Sequence, residues 1–406
     1  MAGAVGVSAR SEHAKPASPA VANKGGAVVG TLAAVLTLTT ACAFGPPKPD
    51  VAGKPPNLPA PSFSASAGSE DEDGQEVIAT VLAKRLEVPW GIAFLPDGSA
   101  LVTERDTAQI LKVGPDTGTD GLKVTVLQRL AEVAPAGDGG LLGIAVSPAY
   151  KTDRTIYIYY SAERDNRVAK LVLGGKPQPI LTGIPRAPAN NGGGLAFGPD
   201  GFLYVGTGDG TATGSQAPNP KSLGGKILRI TTAGKPAPGN PGRNSPVWAS
   251  GFRNVQGMAW DTSKRMYASE SNQKAYGELN LIGKGRNYGY PKVDGTGSVA
   301  KLTNPLVAWP TPASSCAGVA VLERTIATAC LLGQRLWLVN ITGNGTLLGQ
   351  PQALLNGKYG RLRALVSAPD GSLWVSTSNT EDGGEPRPDD DRLIRLVFTG
   401  GGAGRT

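Results

Sequence analysis

The chain of 406 residues contains a single histidine, His13, placed among its first two dozen residues. No imidazole is therefore available as a proton acceptor anywhere downstream. Aromatic residues are scarce at 6%, and long amphipathic helical stretches are hard to find. The formal charge is +8, yet its basic residues (Lys84, Arg85, Arg105, Arg129, Arg167, Lys226, Arg229) are scattered singly. A nucleic-acid binder needs a clustered basic patch, ideally interleaved with stacking aromatics, so that class of partner is set aside. What the chain does have is 57 glycines, 33 prolines and 40% hydrophobic residues. That is enough apolar material for a core cut by many turns, which leans all-β.

The N-terminus is organised differently from the rest. A few positive charges precede an apolar segment from Ala27 to Leu38, followed by Thr39-Thr40-Ala41-Cys42. This is the layout of an export signal, too short for a stable membrane span. A small residue directly before Cys42 resembles a bacterial lipoprotein processing site, although Thr39 stands where such sites usually carry Leu. The bland alternative is a buried thiol in an uncleaved anchor. Beyond Cys42 a Pro/Ala/Ser tract runs into the acidic residues Glu70-Asp71-Glu72-Asp73. It cannot build a core and reads as a tether; the acidic run reads as solvated linker before it reads as a metal site. Cys316 and Cys330 flank a stretch that alternates like two short strands turning near Glu323-Arg324, which would bring them close enough for a disulfide in an exported protein.

From about Val77 to Phe398 one phrase recurs. WGIAFLPDGSALVTER begins at Trp90, LLGIAVSPAYKTDRTIYIYY at Leu141, GLAFGPDGFLYVGTGDG at Gly194, QGMAWDTSKRMYASES at Gln256 and RALVSAPDGSLWVSTS at Arg363. Each is a short apolar strand, a Pro-Asp-Gly or similar turn, and an alternating strand, which is a strong hairpin signal. Phe94, Val146, Phe197, Trp260 and Val366 mark the repeat at intervals of roughly 50 to 60 residues, with one interval near double. The cysteine-flanked hairpin falls in that gap and supplies a degenerate copy. A period of this size predicts a β-propeller of about six blades, with its functional loops at one mouth of the central channel. The expected layout is a lipoprotein-type signal over 1–41, a tether over 42–76, a six-bladed propeller over 77–399 and a flexible tail over 400–406.

The ordered phrases PWGIAFLPDG, GDGGLLGIAVSP, GGGLAFGPDGFLYVGTGDG, GGKILRI, GFRNVQGMAW and GELNLIGKGRNYGYP resemble the glucose/sorbosone dehydrogenase family. These are sugar dehydrogenases that use pyrroloquinoline quinone (PQQ) on a six-bladed propeller, and the similarity is greatest to their actinobacterial lipoprotein, LppZ-like branch. The resemblance covers nearly the whole repeat region. It implies a histidine base, arginine and amide partners for a carboxylate-rich cofactor, and a calcium ion. By resemblance Arg253 and Asn254 face cofactor and substrate, Arg361 and Arg363 contact the cofactor, and Trp309 and Thr311 line the same mouth. The bland reading of each arginine is a blade-edge ion pair.

The resemblance also exposes departures. The family's histidine position falls on Asn190, whose amide accepts no proton at neutral pH. An arginine position falls on Gly194, glutamine positions on Asp138 and Gly210, and a fifth-blade lysine on Leu332. The calcium-holding Gly-Pro pair becomes Asn272-Gln273, whose carbonyls remain possible metal ligands. Asp138 or Asp209 in a dry mouth is a conceivable substitute base; the plainer role for both is to hold a Gly-rich turn. Three readings follow. One is a lipid-tethered relative that binds a sugar, an anionic small molecule or a protein partner at the outer face of the cytoplasmic membrane without turnover. The second is an active PQQ and Ca²⁺ enzyme with an unusual base. The third is a calcium-dependent propeller lactonase drawing on Glu104, Asp138, Asn190, Asp209 and Glu270.

Overall fold

In the computed structural model, which describes residues 76–118, 121–271 and 275–399, the repeated phrase is an antiparallel hairpin. Its turns close by one mechanism. Gly98, Gly201 and Gly371 take φ of 83°, 78° and 81°, the left-handed region that favours glycine. The aspartate before each, Asp97, Asp200 or Asp370, accepts the backbone N–H two residues on at 3.0, 3.2 and 3.1 Å. The same three carboxylates reach Lys112, Arg229 and Arg395 on the third strand of each blade at 3.1, 2.9 and 2.8 Å. Pro-Asp-Gly thus fixes the turn and ties it to the third strand of its blade.

Six four-stranded antiparallel sheets result, spanning 89–129, 141–184, 192–250, 255–310, 316–354 and 362–399, here called blades one to six. The degenerate interval is blade five: Cys316–Leu322 pairs with Thr325–Cys330, and Cys316 and Cys330 stand directly opposite and bonded. Blade six takes its outer strand from the other end of the chain. Glu76–Ala83 runs antiparallel to Leu393–Thr399, pairing from Glu76 with Thr399 to Ala83 with Leu393. This closes the ring. Only a one-turn helix, Tyr150–Asp153, and the 3-10 turn Thr311–Ala313 interrupt the strands among the described residues. The expected signal, Cys42, the tether up to 75, the tail and Asn272-Gln273 lie outside the described residues.

The first strand of every blade faces the channel, and five of the six carry Gly-x-Ala there, beginning at Gly91, Gly143, Gly194, Gly257 and Gly318. Adjacent inner strands approach too closely for a side chain at the first position. A Cβ on Gly91 would stand 2.9 Å from the Leu142 carbonyl oxygen, and one on Gly318 would collide with the backbone of Leu365. All six inner strands also slip register near their mouth end, for example between Pro89 and Gly91 and between Leu362 and Leu365. Such a slip bends and twists the strand, turning its first residues toward the axis. Away from the axis, six apolar layers fill the spaces between neighbouring blades. Within these layers, ring pairs such as Phe94–Trp374 (4.9 Å) and Tyr204–Trp260 (5.1 Å) bridge neighbouring blades edge to face.

Blade four buries a pair of acids beneath the mouth. Glu270 and Glu278 are cross-strand partners. Glu270 accepts the Arg253 N–H, and Glu278 accepts the Gly295 N–H at 2.8 Å and Asn280 Nδ2 at 3.1 Å. Burial raises both, Glu270 well above the carboxylate range and Glu278 to about 7.

Two outcomes follow from this packing. Gly318→Ala, measured by urea unfolding, is expected to lose roughly 1–3 kcal/mol through overpacking, whereas Gly343→Ala, with open space around it, stays within about 0.5 kcal/mol. Between the unfolded value of 4.5 and about 7, the folded state keeps a Glu278 proton that the unfolded chain has lost. This group's contribution to stability therefore falls as pH rises through that window. The stability difference between pH 5 and pH 8 should be smaller in Glu278→Gln than in the parent; an unchanged difference would remove Glu278 as its source.

Candidate functional site

The loops that enter the inner strands, and those that join the second and third strands, gather at one end of the channel. There they enclose a cavity of about 250 Å³ lined by Arg105, Asp138, Asn190, Arg253, Asn254, Gln256, Arg361, Arg363, Glu381 and Asp382 among others. Five blades contribute these residues. Gln256 and Arg363 also line the channel cavity of about 450 Å³.

The loop before blade three is held by the residue next to Asn190. Asn191 is 1% exposed. Its Oδ1 accepts from Asn166 Nδ2 (3.0 Å) and the Ala187 N–H (3.1 Å), and its Nδ2 donates to the Ala187 carbonyl (2.7 Å) and to Asp138. Its own carbonyl receives the Tyr159 hydroxyl at 2.6 Å. With the loop so pinned, Asn190 adopts φ of 63°, a conformation asparagine tolerates better than most residues. The Asn190 N–H donates to Asp138 Oδ2 at 2.7 Å and its carbonyl accepts from the Gly210 N–H at 3.1 Å.

Asp138 thus has both oxygens engaged, one by a backbone amide and one by Asn191. Burial raises it, and the two hydrogen bonds and the Arg363 charge only partly oppose that. Asp209 is fully buried and accepts the Ala217 N–H and the Thr211 hydroxyl, bracing the loop that follows blade three's second strand. Asn254 Oδ1 accepts the Gly192 N–H at 2.8 Å, tying blade four to the same loop.

On the opposite wall three guanidinium groups meet one carboxylate. Glu381 Oε1 accepts from Arg361 Nε (3.1 Å) and Nη2 (2.5 Å), and Oε2 accepts from Arg105 Nη1 (3.0 Å) and from Arg363. All four side chains are 5–9% exposed. Burial would raise Glu381, but Arg363 and Arg361 pull it below the ordinary range. Arg363 is itself lowered by burial, which Glu381 offsets only in part. Arg105 ends above its usual value because Asp106 and Glu381 outweigh burial. Arg361 and Arg363 therefore do face the mouth, and there, with Arg105, they hold an internal acid.

The structure brings together Asp138, Asn190, Arg253, Asn254, Arg361 and Arg363. Trp309 and Thr311 stand elsewhere. Trp309 lies in Val307–Pro310, buried in the layer between blades four and five and stacked on Trp337 at 5.4 Å, and Thr311 opens the following turn. Neither lines the cavity, because an outer strand points its aromatic into the interblade layer. Glu104, Asp209 and Glu270, proposed with Asp138 and Asn190 as a calcium set, do not line it either, and the described residues contain no group of three or more acidic, Cys or His side chains placed to hold a metal.

Sequence reading missed Arg105, Asn191, Gln256 and Glu381. Glu381 sits 276, 20 and 18 positions from its arginine partners, so no local pattern reports the cluster. Asn191 directly follows Asn190 in the run Asn190-Asn191-Gly192-Gly193-Gly194, and nothing local distinguishes its buried amide from its neighbour's.

The Glucose / Sorbosone dehydrogenase family matches residues 86–385. The PQQ-bound aldose sugar dehydrogenase of Streptomyces coelicolor is 42% identical with a TM-score of 0.75, over 80% of this chain and 98% of that one. Quinoprotein glucose dehydrogenase B of Acinetobacter calcoaceticus is 30% identical over 58% of this chain, which spans about half (55%) of that relative's length. The aldose sugar dehydrogenase YliI of Escherichia coli is 25% identical over 74% of this chain and 90% of its own. A six-bladed ring with an arginine-lined mouth, matched over most of its length, makes this chain a member of the PQQ-dependent glucose/sorbosone dehydrogenase family.

Proposed function

We propose that this chain binds a small polar ligand or a protein partner at its propeller mouth and does not oxidise sugars. The observation that carries this reading is the chemistry of the cavity wall. Its polar side chains are amides, guanidinium groups, carboxylates and a serine, and residues 76–399 contain no histidine. In this reading Asn190 stands where sugar-oxidising relatives hold their base, and an amide cannot accept the hydroxyl proton whose loss must accompany hydride departure. Asn190 instead helps to shape the loop through its backbone.

PQQ does not fit the mouth as it stands. Of the arginines that would meet its carboxylates, Arg361 and Arg363 are engaged by Glu381, and Asp138 and Asp382 bring further negative charge to the same 250 Å³ cavity. The proposed calcium pair, Asn272-Gln273, lies outside the described residues. One observation favours the alternative of an active enzyme: Asp138 is raised by burial, as a base tuned for neutral pH would be. Against it, both Asp138 oxygens already accept hydrogen bonds.

We place the protein outside the cytoplasmic membrane, tethered by a lipid on Cys42, in the manner of the LppZ-like lipoproteins. The apolar segment 27–38 and the small residue before Cys42 support this placement.

Two measurements check these readings. Purified protein given PQQ, Ca²⁺, an aldose and an electron-acceptor dye should reduce no dye above the PQQ-free control; PQQ-dependent reduction abolished by Asp138→Asn would establish the alternative instead. In cells of an exporting bacterium, the parent chain should partition into the detergent phase and Cys42→Ser should lose that partitioning. Equal partitioning of the two would exclude lipidation at Cys42.

A further inference from the structure

We propose that Glu381 is a tethered internal ligand: its carboxylate fills a three-arginine site that would otherwise take an external carboxylate, and an external anion enters only by displacing it. The site is assembled from both sides of the ring closure, Arg105 coming from blade one and Arg361 and Arg363 from blade six. Three guanidinium groups this deeply buried require an anion among them, because uncompensated buried charge is untenable. Glu381 meets the requirement with both oxygens, each taking two N–H donors. The neighbouring acids do not substitute for it. Asp106 engages the far edge of Arg105 at 2.6 and 3.0 Å, and Asp138 is spent on Asn190 and Asn191.

The way Glu381 arrives is what makes it a ligand rather than a fixed wall. It is carried on the loop between Leu373–Thr377 and Leu393–Thr399, not on a strand. The loop is clamped at its base, where the Ser378 N–H donates to the Arg361 carbonyl (2.9 Å) and the Asn379 N–H to Asp391 (2.6 Å). Glu381 then opens a turn closed by the Gly384 N–H on its carbonyl at 2.8 Å, with Gly383 at φ of 78°. Beyond the turn, Glu385 to Pro388 are exposed. Glu381 and Asp382 border the open cavity, so an anion arriving from solvent meets the same guanidinium groups. A tethered competitor acts at high effective concentration and weakens every external anion by a corresponding factor.

The test follows thermal unfolding of the full chain, its Glu381→Gln variant and its Glu381→Asp variant, in sodium propionate against sodium chloride at equal ionic strength. Propionate is the glutamate side chain cut free. We expect a saturable propionate-specific rise in the midpoint of Glu381→Gln, at concentrations about tenfold or more below any effect on the parent or on Glu381→Asp. Propionamide, equal in shape but uncharged, should have no effect. If Glu381→Gln does not fold in chloride, its refolding yield in propionate reads the same site. A Glu381→Gln response equal to that of the parent, a matching response to propionamide, or no recovery in propionate overturns the proposal. The inference rests on the arginine cluster and not on the absence of turnover, so dye reduction with PQQ would refute the function reading alone.

Discussion

The close approach of six inner strands around one channel is the constraint from which the rest of the molecule follows. A side chain at Gly257 or Gly318 would occupy space already filled by the backbone of the next strand. Once the strands are that near, each blade must twist away from its neighbour. The wedge between blades is then filled by one of six apolar layers. The ring has no free inner edge, and its one chain break is covered by pairing Glu76–Ala83 with Leu393–Thr399.

The mouth inherits its character from that geometry. The register slip at the start of each inner strand turns the entering loops inward, which places Arg361 and Arg363 on the channel side rather than in solvent. Burying those arginines creates a demand for negative charge that Glu381 meets. On the facing wall Asn191 uses all of its donor and acceptor capacity to hold the loop, leaving Asn190 and Asp138 at the cavity surface. No hydrogen bond joins Asp138 to the arginine cluster, but the Arg363 and Arg105 charges act on it across the cavity. Glu381, Asp138 and Asn191 are satisfied within the protein, whereas Gln256 Oε1, which lines the same cavity, is buried without a hydrogen-bond partner.

How far this could be read in advance depended on the range of each interaction. The hairpins were legible because Asp97-Gly98, Asp200-Gly201 and Asp370-Gly371 act within four residues, and their spacing revealed the blades. Blade five was found from the gap it left and from Cys316 and Cys330, which the structure places directly opposite each other. The convergence of Asp138, Asn190 and Arg253 was an expectation drawn from family resemblance, and their loops do meet at one cavity. Trp309 went the other way. Its outer strand faces an interblade layer, where an aromatic packs against Trp337, and a strand's position in its blade is not written in its four residues.

The sequence by itself determined the all-β class, the number of repeats, the turns, and the absence of histidine from residues 76–399. These are properties of composition or of contacts a few residues apart. Only the tertiary structure decided what the arginines do. Whether Arg361 and Arg363 form surface ion pairs, an open anion site or an occupied one depends on a loop nearly twenty residues downstream and on Arg105, 276 residues before Glu381 in the sequence. Ring closure brings them together, and electrostatics in a buried space then selects the one carboxylate within reach.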